Sequence, residues 1–239
     1  TYGGTGLTSE GALCIIGTPE QEQGGDPDDP RMAYADFMTA GRDEQGPGPN
    51  AEWVNYYVKE SRREIYDWLT GFGVRFEKKV ILMPDNTVPR WHKVVGKGRG
   101  LLEPIYRDCG KNGKVKFYYR FKAVSLLRDK SGRIEGVRTL RLKDGAQIDF
   151  FAPVVILATG GFQSNLDMVR KNWPKDLPFP DEILIGGGLN ADGSGHAMAK
   201  TVGARLDNMH YQLNYPTGLK RPSNATGHRG LNAYTDHSI

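Results

Sequence analysis

Short glycine-rich segments are the feature that most restricts what this chain can fold into. Its 31 glycines among 239 residues follow no fixed period but gather at residues 3–11, 160–161 and 186–195. Glycine adopts positive φ freely and lets another group approach the backbone, so such segments are typical of ligand-binding loops. The plainer interpretation is that all three are ordinary turns, with Gly160 and Gly161 only closing a helix onto a sheet. Three of them in one chain favour a cofactor site.

The first half of the chain carries helical signals. Asp29 is suited to cap a helix over residues 30–41, and Pro30 to occupy its first turn. Asn50 begins a long amphipathic pattern that closes near Gly71 or Gly73. A shorter helix is expected over residues 101–108.

Two segments in this half are predicted as loops. Residues 18–29 are polar and glycine-rich, which is typical of a surface excursion. Residues 74–100 contain two prolines and a basic stretch over 90–99. Arginines there are able to grip a carboxylate or a phosphate, but a solvated basic loop is the simpler interpretation.

The second half carries strand signals. Three extended segments separated by turns at 129–132 and 144–145 predict an antiparallel three-stranded meander over residues 114–127, 134–142 and 147–151. Val154 to Leu157 is continuously apolar, as in a strand buried on both faces of a parallel sheet. It ends at Ala158-Thr159-Gly160-Gly161, before a helix that begins near Ser164. A strand, a glycine turn and a helix in this order suit a phosphate or an electron-rich ring. The predicted fold class is α/β.

Composition excludes several classes of protein. The net charge of +4 is too small and too evenly spread to indicate nucleic-acid binding. No apolar run approaches the roughly 20 residues of a membrane span, so no membrane partner is expected. Two cysteines form neither a disulfide framework nor a metal site, and we expect a cytoplasmic protein without a catalytic metal. Cys14 lies in an apolar run and is expected to be an inert thiol.

Five motifs occur in an order that resembles a known protein family. They are Gly3-Gly4-Thr5-Gly6-Leu7-Thr8-Ser9-Glu10-Gly11, Asp67-Trp68-Leu69-Thr70-Gly71-Phe72-Gly73-Val74, Lys122-Ala123-Val124, Ala158-Thr159-Gly160-Gly161-Phe162 and Asn190-Ala191-Asp192-Gly193-Ser194-Gly195. This order resembles the flavoprotein subunit family of fumarate reductases and succinate dehydrogenases, which includes ketosteroid dehydrogenases and tricarballylate dehydrogenase-like enzymes. The resemblance implies a glutathione-reductase-like FAD-binding parallel sheet with the meander, followed by the start of an α+β capping domain.

The resemblance also implies which residues hold FAD. They are Gly3, Gly4, Thr5, Gly6, Thr8, Ser9, Gly11, Ala123, Val124, Ala158, Thr159, Gly160, Asp192, Gly193 and Ser194. In such an enzyme a hydride moves between the flavin and a carbon next to a carbonyl or carboxylate of a small-molecule substrate. Tyr215 and Arg229 are the implied catalytic residues. Tyr215 stands where dicarboxylate reductases have histidine, and a phenol hydrogen-bonds a carbonyl better than it pairs with a carboxylate.

Departures from the family pattern shape the remaining expectations. The family's Gly-x-Gly-x-x-Gly fingerprint does not precede Thr1. We therefore expect a fragment: an FAD-binding domain over residues 1–210 that lacks its first βαβ unit, then the beginning of a capping domain over 211–239. Such a fragment is expected to be inactive, to hold FAD weakly or not at all, and to form homo-oligomers through its exposed, truncated sheet.

Two other interpretations stay open at this point. The chain is alternatively a stable non-catalytic module that binds a nucleotide or another protein. A third interpretation is an intact NAD(P)-linked enzyme of unusual topology. The motif context disfavours it, because residues 186–195 follow Pro178 and Pro180 instead of a buried strand.

Overall fold

The computed structural model describes residues 2–42, 48–111, 113–185, 188, 190–212, 219–220 and 230–231. The chain divides into two compact units, residues 1–117 and residues 118–239. Each unit combines helices with antiparallel strands, and the two are described separately below.

The first unit packs helices around a small antiparallel sheet. After a 3₁₀ helix over Gly4–Thr8, its elements are β1 (Ala12–Cys14), α1 (Pro19–Gly24), α2 (Pro30–Ala40), α3 (Ala51–Ser61), a π-helical segment (Arg62–Asp67), α4 (Trp68–Gly71), β2 (Phe76–Ile81), β3 (Trp91–Val94) and α5 (Lys97–Lys111). The strand order is β1-β3-β2, so β3 is central. Two apolar clusters lie here, one around Ile16, Ala33 and Val58 and one around Leu69, Val74 and Val94.

Two of the predicted helix starts in this unit are confirmed, whereas the helix predicted over 101–108 begins earlier, as α5 at Lys97. Asp29 caps α2 by accepting hydrogen bonds from the N–H groups of Arg31 and Met32 at 2.7 and 3.1 Å. Asn50 caps α3 by accepting one from Trp53 at 3.0 Å. The predicted long helix continues through the π-helical segment into α4, an irregularity that amphipathic periodicity does not reveal.

The surface excursion predicted over 18–29 is wrong at its start, where α1 forms, although residues 22–27 are exposed as expected. Thr18 accepts from the N–H of Gln21, and the Gln21 side chain accepts from the N–H of Thr18, which makes a reciprocal capping box at the start of α1. Both side chains are buried. A polar sequence is buried here because its polar atoms are hydrogen-bonded, which periodicity of apolar residues does not detect.

The loop predicted over 74–100 is wrong over much of its length, since β2, β3 and the start of α5 lie there, and its basic stretch is not solvated at its start. Arg90 is only 1% exposed, and β3 follows it directly. Its guanidinium binds Asp28 through two hydrogen bonds of 2.6 and 2.8 Å and binds Asp36 at 2.5 Å. Two carboxylates compensate the cost of burying this cation, so the cluster ties α2 and the segment after α1 to the sheet.

The second unit contains the predicted meander. Its elements are β4 (Phe121–Arg128), β5 (Ile134–Arg141), β6 (Gln147–Phe151), α6 (Leu166–Lys171), α7 (Ser194–Thr201), β7 (Leu219–Lys220) and β8 (Gly230–Leu231). The order β4-β5-β6 is antiparallel throughout and confirms the predicted meander, although its first strand begins at Phe121 and not at Lys114. The short strands β7 and β8 pair antiparallel with each other.

The strand predicted over Val154 to Leu157 is absent from the structure. These four residues have no strand assignment, and the side chains of Val154 and Ile156 are 70% and 85% exposed. A run of this kind is buried only where other strands pair with it on both sides. The described strands of this unit pair among themselves instead, and the described strand pairs are antiparallel.

Candidate cofactor site

The segment that follows the exposed apolar run, residues 158–160, is irregular and exposed. Ala158, Thr159 and Gly160 are exposed, and Gly160 has a φ of +79°. A side chain is disfavoured in that left-handed conformation, so glycine is required there. Beyond this segment, Asn165 caps α6 by accepting a hydrogen bond from the Met168 N–H at 3.0 Å. Residues 158–160 are therefore an exposed segment, with glycine main chain at Gly160, a few residues before α6.

The second segment, residues 190–195, leads into α7. Gly193 precedes the helix with a φ of +77°. The Asp192 carboxylate accepts from the Ser194 N–H at 2.9 Å. Hydrogen bonds from the Ser194 side chain and N–H hold the pKa of the Asp192 carboxyl below its usual range. Asp192 is thus an exposed, ionised carboxylate at neutral pH that is hydrogen-bonded to Ser194 of its own loop.

The two segments are joined to each other. The Gly193 N–H donates to the Gly161 carbonyl at 3.2 Å, and the Ser164 N–H donates to the Ala191 carbonyl at 3.0 Å. Thr159 packs so closely on Gly195 that a Cβ at position 195 would collide with the Thr159 hydroxyl. Residues 158–165 and 190–195, which we call the joined loops, are therefore held together by hydrogen bonds and close packing.

Strand β4 brings a third predicted segment to the same unit. Register shifts between Ala123 and Ser125, so Val124 is passed over in the pairing with β5. Helix α7 contacts β4, and the charge of Lys122 acts on Asp192. The predicted cofactor residues of the second unit, 123–124, 158–160 and 192–194, thus lie on elements that pack together.

The first glycine segment lies in the other unit and is more ordered than an open loop. Residues 4–8 form a 3₁₀ helix, and the Ser9 hydroxyl donates to the Gly6 carbonyl at 2.8 Å. The start of α5 holds this segment, because the Gly98 N–H donates to the Ser9 carbonyl at 2.9 Å. A Cβ at Gly98 would collide with the Gly6 carbonyl and lie 2.6 Å from the Ser9 hydroxyl. The hydroxyls of Thr8 and Ser9 both donate to carbonyls of the segment itself.

The remaining predictions have different outcomes. Tyr215 and Arg229 lie outside the described residues. Burial raises the pKa of the Cys14 thiol to about 11, which agrees with an inert thiol. Within the described ranges, no group of three or more histidine, cysteine or acidic side chains is arranged to hold a metal ion. Across the same ranges, no helix is both long and apolar enough to cross a bilayer.

Sequence reasoning missed two features of this site. One is Asn165, which belongs to the first loop and donates a hydrogen bond to the second, and the other is the contact of Thr159 with Gly195. The helix-capping preference of asparagine was a usable signal for the first. The second depends on which segments meet in space, and spacing along the chain does not reveal it.

Known proteins resemble this chain over most of its length. The family profile described as the FAD binding domain matches residues 1–232. A KsdD-like steroid dehydrogenase of Mycolicibacterium smegmatis is 30% identical over 91% of this chain and 44% of its own length. The chain thus spans less than half of that curated relative.

Solved structures resemble the fold. The 3-ketosteroid-Δ4-(5α)-dehydrogenase of Rhodococcus jostii RHA1, in complex with 4-androstene-3,17-dione, superposes with a TM-score of 0.72 and 26% identity, over 88% of this chain and 48% of its own. The open conformation of a flavocytochrome c3 fumarate reductase gives a TM-score of 0.72 at 23% identity, over 84% of this chain and 34% of its own. The chain therefore belongs to the FAD binding domain family, to which its resemblance to fumarate reductase and ketosteroid dehydrogenase flavoproteins had pointed.

Proposed function

We propose that this chain is the FAD-binding part of an oxidoreductase that moves a hydride between flavin and a carbon next to a carbonyl or carboxylate. The observation that carries the proposal is the pair of joined loops, because it sets an exposed segment with glycine main chain beside a hydrogen-bonded carboxylate in a chain of the FAD binding domain family. Residues 1–210 are assigned to this FAD-binding role, and residues 211–239 to the beginning of a substrate-capping domain.

The chemistry of the joined loops suits a dinucleotide. An ionised carboxylate repels phosphate and accepts hydrogen bonds, so Asp192 is assigned to hydroxyl groups of the cofactor's sugar or ribityl chain. Phosphate and ring atoms are assigned to exposed main chain at Ala158, Thr159 and Gly160. Gly3 to Gly11 and the main chain of Ala123 and Val124 complete the proposed set. Bound FAD would supply the hydride carrier, and these residues would orient it.

We assign the substrate side to Tyr215 and Arg229. The Tyr215 phenol would donate a hydrogen bond to a substrate oxygen, and Arg229 would attract a negative charge that develops there. A carbonyl substrate is favoured over a dicarboxylate because the phenol carries no positive charge. The name of the steroid dehydrogenase relative supports the same choice. The cytoplasm remains our prediction for the location, on the two free cysteines.

The test of the FAD site is the substitution Asp192→Ala. We expect FAD, titrated up to millimolar concentration, to bind saturably. The measured signal is the change in flavin fluorescence on binding. Loss of the Asp192 carboxylate removes a charge-assisted hydrogen bond, and the affinity should fall by about tenfold or more. The matched control is Asp207→Ala, which removes an exposed carboxylate paired with Arg205 in the same unit. Absence of saturable binding, or equal affinity of both variants, would contradict the proposed site.

A further inference from the structure

Asn165, in the first of the joined loops, bonds through its side chain to the start of α6 and to the second loop. Its Oδ1 accepts from the Met168 N–H at 3.0 Å, and its Nδ2 donates to the Asp192 carbonyl at 3.0 Å. A backbone N–H only donates and a carbonyl only accepts, so these two partners fix the orientation of the amide without ambiguity. The residue that caps α6 is therefore also bound to the segment that carries the Asp192 carboxylate.

The bond from Asn165 falls on a peptide group that is held at its other end as well. The peptide between Asp192 and Gly193 presents its carbonyl to the Asn165 amide and its N–H to the Gly161 carbonyl, at 3.0 and 3.2 Å. Glycine on one side of a peptide leaves its rotation weakly restricted, because no Cβ opposes the change of φ. Gly193 has a φ of +77°. The two hydrogen bonds supply the restriction that the glycine does not.

We propose that Asn165 is a positioning residue for the cofactor site: it fixes the 192–193 peptide and thereby the direction of the Asp192 carboxylate. This inference rests on the proposed function for its consequence in FAD binding, although its structural part stands without it. Only a side chain with one donor and one acceptor serves both partners at once. Aspartate would keep the cap of α6 but would set a carboxylate oxygen against the Asp192 carbonyl.

The test is Asn165→Asp, which separates positioning from capping. Amide hydrogen exchange of the protein without FAD reports both: we expect the Gly193 and Ser194 amides to exchange about tenfold faster, while Met168 keeps its wild-type protection. Asn165→Ala loses both hydrogen bonds, and all three amides should then exchange faster. The matched control is Asn172→Asp at the other end of α6, where the side chain donates to the Met168 carbonyl and is not bonded to residues 190–195. It should leave Gly193 and Ser194 unchanged.

FAD titration supplies the second readout. Asn165→Asp should lower FAD affinity by about tenfold, in the direction of Asp192→Ala, and Asn172→Asp should not. Wild-type exchange at Gly193 and Ser194 in Asn165→Asp, or equal loss of protection at Met168, would overturn the positioning role. If exchange changes as expected but neither Asp192→Ala nor Asn165→Asp weakens FAD binding, the proposed FAD site is wrong and the structural role of Asn165 stands.

Discussion

His92 is a buried histidine whose two ring nitrogens are both hydrogen-bonded. Nδ1 lies 2.7 Å from the Arg90 carbonyl, which only accepts, so Nδ1 carries the proton of the neutral ring. Nε2 lies 2.6 Å from the Thr18 hydroxyl and accepts from it. Burial lowers the pKa of His92 below the ordinary value of 6.5. The folded state therefore favours the neutral ring.

This environment predicts a loss of stability in mild acid. With its folded pKa below its unfolded pKa, His92 contributes stability that is fully present above the unfolded value of 6.5 and is lost as the pH falls through the folded value. Urea unfolding should show a falling midpoint from about pH 7 to about pH 5, a window above the titration of ordinary carboxyl groups. His92→Gln should be less stable at neutral pH and should show a flatter profile. Parallel profiles of the two proteins would contradict the assignment.

At the scale of elements, the contact between the first glycine segment and α5 depends on Gly98. We expect Gly98→Ala to destabilise the protein by about 1–3 kcal/mol, because its Cβ would overlap the Gly6 carbonyl. Gly110 provides the matched control within the same helix, since a Cβ there meets no atom within 4 Å. Gly110→Ala should stabilise the protein by about 0.5–1 kcal/mol through helix propensity. Urea unfolding measures both changes, and the same sign for both would disprove the close contact.

Local sequence signals predicted the elements that depend on local chemistry. Asp29 and Asn50 marked helix starts correctly, and the turns at 129–132 and 144–145 located the meander. The failures arose where distant partners decide the outcome. Arg90 is buried because Asp28 and Asp36 neutralise it, and Val154, Ile156 and Leu157 are exposed because no described strand pairs with them. Motifs predicted cofactor residues at 158–160 and 192–194, a prediction that stays open, but they did not indicate that Asn165 bonds to the second of these segments.

At the scale of the whole molecule, the exposed apolar run predicts self-association. Large apolar patches on a soluble surface favour contact with another copy, and Phe151 lies 66% exposed beside this run. The weight-average mass from sedimentation equilibrium should therefore rise with protein concentration, and Ile156→Asp should reduce the rise. The control is Leu142→Asp, because Leu142 is also an exposed aliphatic side chain, at 62%, but lies outside the run. A wild-type monomer at every concentration, or equal effects of both substitutions, would contradict this surface as the interface.

The same run, Val154 to Leu157, has a calorimetric consequence. The heat-capacity increase on unfolding comes from apolar area that becomes exposed to water. Side chains that are already exposed in the folded state add nothing to it. Any strand that later covers Ile156 removes that area from water on binding, and the binding enthalpy then decreases with rising temperature. The slope of the binding enthalpy against temperature is therefore a direct measure of how much of this exposed apolar surface a partner buries.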